Sequence, residues 1–210
     1  MSAGRDASPQ LDPGSGRPEN SGNEAMLLAL IGCRGSGKSS VAREIGSITG
    51  RAFVDTDEEV MRRADRSIAE IFADEGEAAF RRLEAEVISE VVAKRFGVIS
   101  VGGGAVLDQQ NVERLRSVAM IVYLTATPEE LWRRIEVDQA TRQARPALTG
   151  HSGLEEIRHV LAERSRLYEC AADSIVDTMN KSPRQVAEEI LELHKTSQPK
   201  RPRAPGEPRA

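Results

Sequence analysis

Residues 26–39 read Met-Leu-Leu-Ala-Leu-Ile-Gly-Cys-Arg-Gly-Ser-Gly-Lys-Ser, an aliphatic run that breaks at Gly32 and closes on Lys38-Ser39. Met26–Ile31 shows no polar alternation and predicts a strand covered on both faces. Gly32 to Ser39 then fits the spacing G-x-x-x-x-G-K-[ST], in which a strand passes into a helix around an anion. The glycines let backbone N–H groups converge on phosphate oxygens, and the helix opening near Lys38 offers the positive end of its dipole. Lys38 is placed to reach the β- and γ-phosphates of a nucleotide and Ser39 to ligate Mg²⁺, with Gly35, Ser36, Gly37 and Ser40 as further nucleotide contacts. Within residues 25–194 only Lys38, Lys94 and Lys181 are lysines, in a stretch rich in arginine, so a lysine at this position is informative.

Outward from the loop, apolar runs alternate with helical patterns, the signature of βαβ units and a parallel sheet. Further strands are predicted at Ala52–Val54, Val98–Val101, Val118–Leu124 and Ser174–Val176. Phe80, Leu83, Val87 and Val91 recur at helical spacing, as do Leu154, Ile157, Leu161 and Leu167 less regularly. The expected fold is α/β, a doubly wound three-layer α/β/α domain with a five-stranded parallel sheet and its ligand crevice at the carboxyl ends of the strands.

The 210 residues suffice for one such domain and are short for two. Pro9, Pro13 and Pro18 precede it and Pro199, Pro202, Pro205 and Pro208 follow it, in stretches without apolar periodicity. We therefore expect disordered tails over 1–24 and 196–210 and a folded domain over 25–195. The formal net charge is −4; two arginines against four acids make residues 1–24 −2, five basic residues against one acid make 195–210 +4, and 25–194 holds −6. An acidic domain argues against a broad nucleic-acid surface. Cys33 and Cys170 lack metal or disulfide-scaffold spacing, no apolar run approaches a membrane span, and the first 20 residues lack a signal peptide's apolar stretch. The expectation is a soluble cytoplasmic protein, with no membrane partner.

A phosphate loop leaves GTPases, ATPases and small-molecule kinases open. No N-K-x-D guanine-specifying pattern is present. Asp55-Thr56-Asp57 puts two carboxylates at the end of strand two, where one serves a metal and the other an acceptor; the same pair also suits a helix N-cap and first turn. His151 and His159 have no third ligand at metal spacing and read as solvent-facing. Cys33 reads as a small filler, Trp132 as packing under a lid or near the nucleotide, and Arg82 and Arg133 as surface charges.

Further elements follow in order: Ser67-Ile68-Ala69-Glu70-Ile71-Phe72, Gly76-Glu77-Ala78-Ala79-Phe80-Arg81-Arg82-Leu83-Glu84, Gly102-Gly103-Gly104, Arg145-Pro146-Ala147-Leu148 and Glu163-Arg164 with Leu167-Tyr168-Glu169. Together with the loop and D-T-D, this order resembles the shikimate kinase family, whose members have the P-loop kinase fold, over essentially all of Met26 to Leu193. The resemblance implies ATP- and Mg²⁺-dependent phosphorylation of the 3-hydroxyl of shikimate, an anionic ring polyol of aromatic amino-acid biosynthesis. It implies Arg81 and Arg164 on the substrate carboxylate with the Gly103 N–H, Asp57 on the hydroxyls and as base, and Asp55 on Mg²⁺ through water. Arg145 matches the catalytic lid arginine, in a lid over about 137–153 that is longer before Arg145 than in compact members and has alanine after Pro146. Arg134 and Pro183 match the residues flanking adenine, and members of this size are often monomers. The residue chemistry agrees: a carboxylate calls for guanidinium forks, and triple glycine leaves space for an acceptor to approach the backbone. Arg81 also has Glu84 at i+3 as a simple ion-pair partner, and Glu84 reads as orienting Arg81 or Arg164. A gluconate or nucleoside monophosphate kinase and a nucleotide-binding module without catalysis stand as the other readings.

Overall fold

The computed structural model describes residues 27–137 and 153–196. Strand β1 (Leu27–Ile31) leads through the phosphate loop into α1 (Lys38–Thr49), then β2 (Phe53–Asp55), α2 (Thr56–Ala64) and α3 (Ile68–Lys94). Strand β3 (Val98–Ser100), a single 3₁₀ turn (Ala105–Leu107), α4 (Gln109–Arg116), β4 (Ala119–Thr125) and α5 (Pro128–Val137) follow. Helix α6 (Leu154–Ala171), β5 (Ser174–Asp177) and α7 (Pro183–Thr196) complete the described chain. All five strands lie within a residue or two of the expected positions. The tails, the lid with Arg145, and His151 lie outside the described residues.

The sheet is wholly parallel in the order β2-β3-β1-β4-β5. Strand β1 is buried throughout because its alternate side chains feed two cores. Leu27, Ala29 and Ile31 join Ile71, Phe80, Val87, Ile88, Ile121 and Tyr168 on one side. Leu28 and Leu30 join Val41, Ile45, Val122, Val186 and Ile190 on the other. A strand with apolar neighbours on both faces has no use for alternation, which is why it reads as a continuous hydrophobic run. A third cluster, Cys33, Leu131, Ile135, Ile157 and Val160, packs α5 and α6 over the phosphate loop. Among the described residues no helix is long and apolar enough to cross a membrane.

Two helices occupy the span between β2 and β3. Helix α2 ends at Asp65, which takes the left-handed conformation, and α3 restarts behind a capping box in which Ser67 and Glu70 satisfy each other's backbone N–H groups. Gly76 breaks the helical path of α3 with φ 80 and ψ 173, so the first turns of α3 set off at an angle from the segment carrying Phe80, Arg81 and Glu84. Helix α2 is tied to α3 by Arg63, which bonds Glu59 and Glu90 together.

That tie has a pH signature. Hydrogen bonds from Arg62, with a smaller contribution from Arg63, hold the Glu59 carboxyl at about 2 against an ordinary 4.5. A carboxyl whose folded pKa is depressed contributes stability that is complete above the unfolded value and is lost as pH falls through the folded one. The urea midpoint should therefore differ most between the parent and Glu59→Gln near pH 6, and the gap should narrow as pH drops from 4.5 toward 2. A gap that stayed constant would show that Glu59 does not contribute through its charge.

Candidate active site

Parallel pairing sets the first part of the site. Asp55 lies opposite Ser100 across β2 and β3, and Ser100 lies opposite Leu30 across β3 and β1, so the carboxyl ends of three strands bring β2's last residue beside the phosphate loop. Asp55 divides its two oxygens between two tasks. Oδ1 caps α2, accepting from the N–H groups of Asp57 at 3.0 Å and Glu58 at 3.3 Å. Oδ2 accepts from Ser39 Oγ at 2.5 Å and from Ser100 Oγ at 2.8 Å. The cap reading of D-T-D is thus seen in Asp55, whose other oxygen is left to the two hydroxyls. The hydroxyls of Ser39 and Ser100 with the outer oxygen of Asp55 form an all-oxygen donor set, the kind that suits Mg²⁺ completed by water and phosphate. No cluster of three His, Cys, Asp or Glu side chains able to hold a metal occurs among the described residues.

In the phosphate loop Gly35 and Gly37 have φ of 82 and 88, values that favour glycine. At Gly35 space is short as well, since a Cβ would stand 2.7 Å from the Leu131 carbonyl, whereas at Gly37 it would meet open space. Lys38 is buried and donates to the carbonyls of Gly32 at 2.9 Å and Cys33 at 3.0 Å. The loop, Ser39, Ser40, Arg134 and Pro183 line one continuous cleft, as the nucleotide reading requires. Arg134 is held there rather than loose: Nε donates to Glu130, Nη1 to Thr178 Oγ1 and Nη2 to the Thr178 carbonyl. Hydrogen bonds from Arg133 and Arg134 draw the Glu130 carboxyl down to about 2.

A second cleft adjoins the first, with Asp57 and Arg34 on the boundary of both. It gathers Arg81, Glu84, Gly103, Gly104, Arg164 and Tyr168 against an apolar wall that includes Ile68, Phe72, Phe80, Trp132 and Val160. Asp57, in the first turn of α2, is buried. Arg81 donates Nη1 to Glu84 at 2.8 Å and Nη2 to Glu77 at 3.0 Å, so the ion pair expected at i+3 exists within the site. Burial pushes the Glu84 carboxyl above the usual range, opposed by the charges of Arg81 and then Arg164. Glu84 Oε1 and Arg164 Nε have no hydrogen-bond partner among the described residues although both are buried. Buried polar atoms left in this way call for a partner, which water or a ligand would supply.

Two of the three glycines meet a constraint beyond the one the sequence implies. A Cβ at Gly102 would lie 2.5 Å from Asp57 Oδ1 and 2.8 Å from Glu84 Oε1, and one at Gly104 would overlap the Arg81 guanidinium. The glycines thus make room for the protein's own polar side chains. Gly103 is less crowded, its nearest neighbour being the Gly32 carbonyl at 3.3 Å. Because the end of Arg81 can swing away, Gly104→Ala should leave the melting temperature within a few degrees while displacing that guanidinium. A rise of about tenfold in the acceptor KM, the equivalent of about one net hydrogen bond, is expected with ATP KM unchanged. Steady-state kinetics in both substrates would check it.

Several residues of the site escaped the sequence reading. Ser100 is a lone serine ending a strand, Thr56 accepts the Gly102 N–H at 2.9 Å, and Thr178 anchors Arg134. Tyr168 carried only a motif position, yet its hydroxyl reaches the Gly103 carbonyl. Trp132 lines the second cleft, against Gly153, and not the cleft of the phosphate loop. Cys33 is the buried filler expected, its thiol pushed up by burial against the charges of Lys38 and Arg164. Arg133 pairs with Glu130 and His159 with Glu163 at the surface.

A phosphate loop opening sideways into a pocket lined by carboxylates and arginines is the architecture of an ATP-dependent small-molecule kinase. A family model described as shikimate kinase matches residues 34–195. The shikimate kinase of Syntrophus aciditrophicus is 40% identical over 177 residues, covering 80% of this chain and 91% of that one. The chain belongs to the shikimate kinase family. Among solved structures, shikimate kinase from Acinetobacter baumannii in complex with shikimate superposes with a TM-score of 0.76 at 31% identity, covering 83% of this chain and 96% of that one. A gluconokinase from Sinorhizobium meliloti shares the fold, at 15% identity and a TM-score of 0.51 over 81% of this chain and 92% of that one.

Proposed function

We propose that this member of the family transfers the γ-phosphoryl group of ATP to the 3-hydroxyl of shikimate, using Asp57 where the two clefts meet. That position carries the reading, because Asp57 is the carboxylate that borders both the phosphate loop and the pocket with Arg81 and Arg164. Arg81 and Arg164 receive the acceptor's carboxylate, helped by the Gly103 N–H, and the guanidinium forks fix its orientation. Asp57 accepts from the acceptor's hydroxyls and takes the proton of the attacking one as its oxygen bonds to the γ-phosphorus and ADP leaves. Lys38 exchanges its two carbonyls for the β- and γ-phosphate oxygens, while Arg134 and Pro183 flank adenine. Ser39, and Asp55 through water, would hold Mg²⁺, which when bound would offset charge on the phosphate oxygens. Arg145, in the lid, brings a further cation to the transferring group.

The phosphate loop, Asp57, Arg81 and Arg164 all come from one chain, which supports a monomer acting on free small molecules without nucleic acid. Two free cysteines and the acidic domain support a cytoplasmic setting. The test is ADP release from Mg·ATP by a coupled assay with shikimate, quinate, gluconate and nucleoside monophosphates in parallel, and Lys38→Ala as the blank. Turnover with shikimate is expected. Turnover with another acceptor alone would keep the phosphate-loop assignment and overturn Arg81 and Arg164 as shikimate ligands, and ATP binding without turnover would favour a noncatalytic module.

A further inference from the structure

The triple-glycine turn is fixed by bonds from three directions. The Gly102 N–H goes to Thr56 Oγ1 at 2.9 Å, and the Gly102 carbonyl accepts the Ala105 N–H at 3.1 Å. The Gly104 carbonyl accepts the Leu107 N–H at 3.0 Å. Between them the Gly103 carbonyl accepts the Tyr168 hydroxyl at 2.6 Å. One side chain thus fixes that carbonyl, and with it the peptide plane joining Gly103 to Gly104, in the wall of the acceptor cleft. Glycine imposes no side-chain constraint on φ and ψ, so without such an anchor the peptide is free to rotate.

Tyr168 is itself immobile. It is fully buried, and its ring stacks on Tyr123 with centroids 5.0 Å apart and planes 23° apart. Burial pushes its hydroxyl well above the usual tyrosine range, so it stays a donor wherever the enzyme works. It stands four residues after Arg164 on α6, hence on the same helical face, and the two side chains line the same cleft.

We infer that Tyr168 is a positioning residue for the acceptor, its hydroxyl locking the Gly103–Gly104 peptide so that the turn's N–H groups and Arg164 present one preformed anion site. This rests on the acceptor-pocket reading above. A tyrosine serving only as core filler would place the same ring there with no need of the oxygen. The inference therefore isolates the oxygen alone.

The test is Tyr168→Phe, which keeps the ring and the stack. Trp132, the single tryptophan, lines the cleft, so shikimate binding is read by its fluorescence without turnover. We expect a rise of about tenfold in the shikimate dissociation constant and KM, with ATP KM within twofold. Arg164→Lys, run beside it, should weaken shikimate as well. A filler role predicts unchanged shikimate affinity with a lowered melting temperature, and that result would overturn the inference while leaving the pocket assignment intact. If Arg164→Lys also left shikimate affinity unchanged, the pocket assignment itself would fall. Should Tyr168→Phe not fold, Thr56→Val, which removes the opposite anchor of the same turn, must weaken shikimate alone, and unchanged affinity there would overturn the idea of a locked turn.

Discussion

Asp57→Asn is expected to lower turnover of shikimate by about 10³-fold while ATP binds as before. The change keeps the shape of the side chain in a buried position 2.5 Å from where a Gly102 Cβ would stand, so the pocket need not rearrange. It removes the acceptor for the hydroxyl's proton and the negative charge that holds that hydroxyl toward the phosphate. An acid in the first turn of α2 also favours the helix dipole, an effect of about 0.3–1 kcal/mol, too small to unfold the protein. Initial rates together with calorimetric titration of ATP would separate the two effects. Normal turnover would place the proton acceptor elsewhere.

Arg164→Ala should reduce kcat/KM for shikimate by about 10²- to 10³-fold, mostly through KM. Truncating one member of a buried, hydrogen-bonded charge pair costs about 2–5 kcal/mol, largely because the other charge remains unpaired. Here the stranded charge is the substrate's carboxylate, and Glu84 also loses one of the two cations that oppose its protonation. Arg164→Lys should restore only part of the loss, since an ammonium restores the charge without the planar fork. ATP KM is expected to hold within twofold in both variants. An unchanged shikimate KM in the alanine variant would remove Arg164 from the acceptor site.

Much of this architecture is visible in the sequence because its causes are local. Leu27–Ile31 is aliphatic and Ala119–Leu124 apolar throughout since both faces of the inner strands are covered, and Lys38 stands in a pattern whose spacing is the geometry of a loop wrapping phosphate. Asp55 and Asp57 are legible as a pair, and both a capping and a chemical role follow from their place at a strand's end. What stayed hidden depends on registry between distant segments. Ser100 matters only because β3 sets it opposite Asp55, and Thr178 only because β5 ends beside Arg134. The break between α2 and α3 lies in the conformation of Asp65 and the Ser67–Glu70 box, which a run of helical residues conceals. The glycines at 102 and 104 were read as space for a ligand, but what they clear is space for Asp57, Glu84 and Arg81. A sequence shows that a position is small; only the fold shows what it is small for.

The bonds from Lys38 to the carbonyls of Gly32 and Cys33 have a consequence for the timing of catalysis. The same ammonium that would meet phosphate oxygens also holds the loop's own carbonyls, so binding would exchange one set of oxygens for another. The entropy loss on association then falls mainly on the ligand. Nucleotide capture in such a protein should be quick and weakly dependent on temperature.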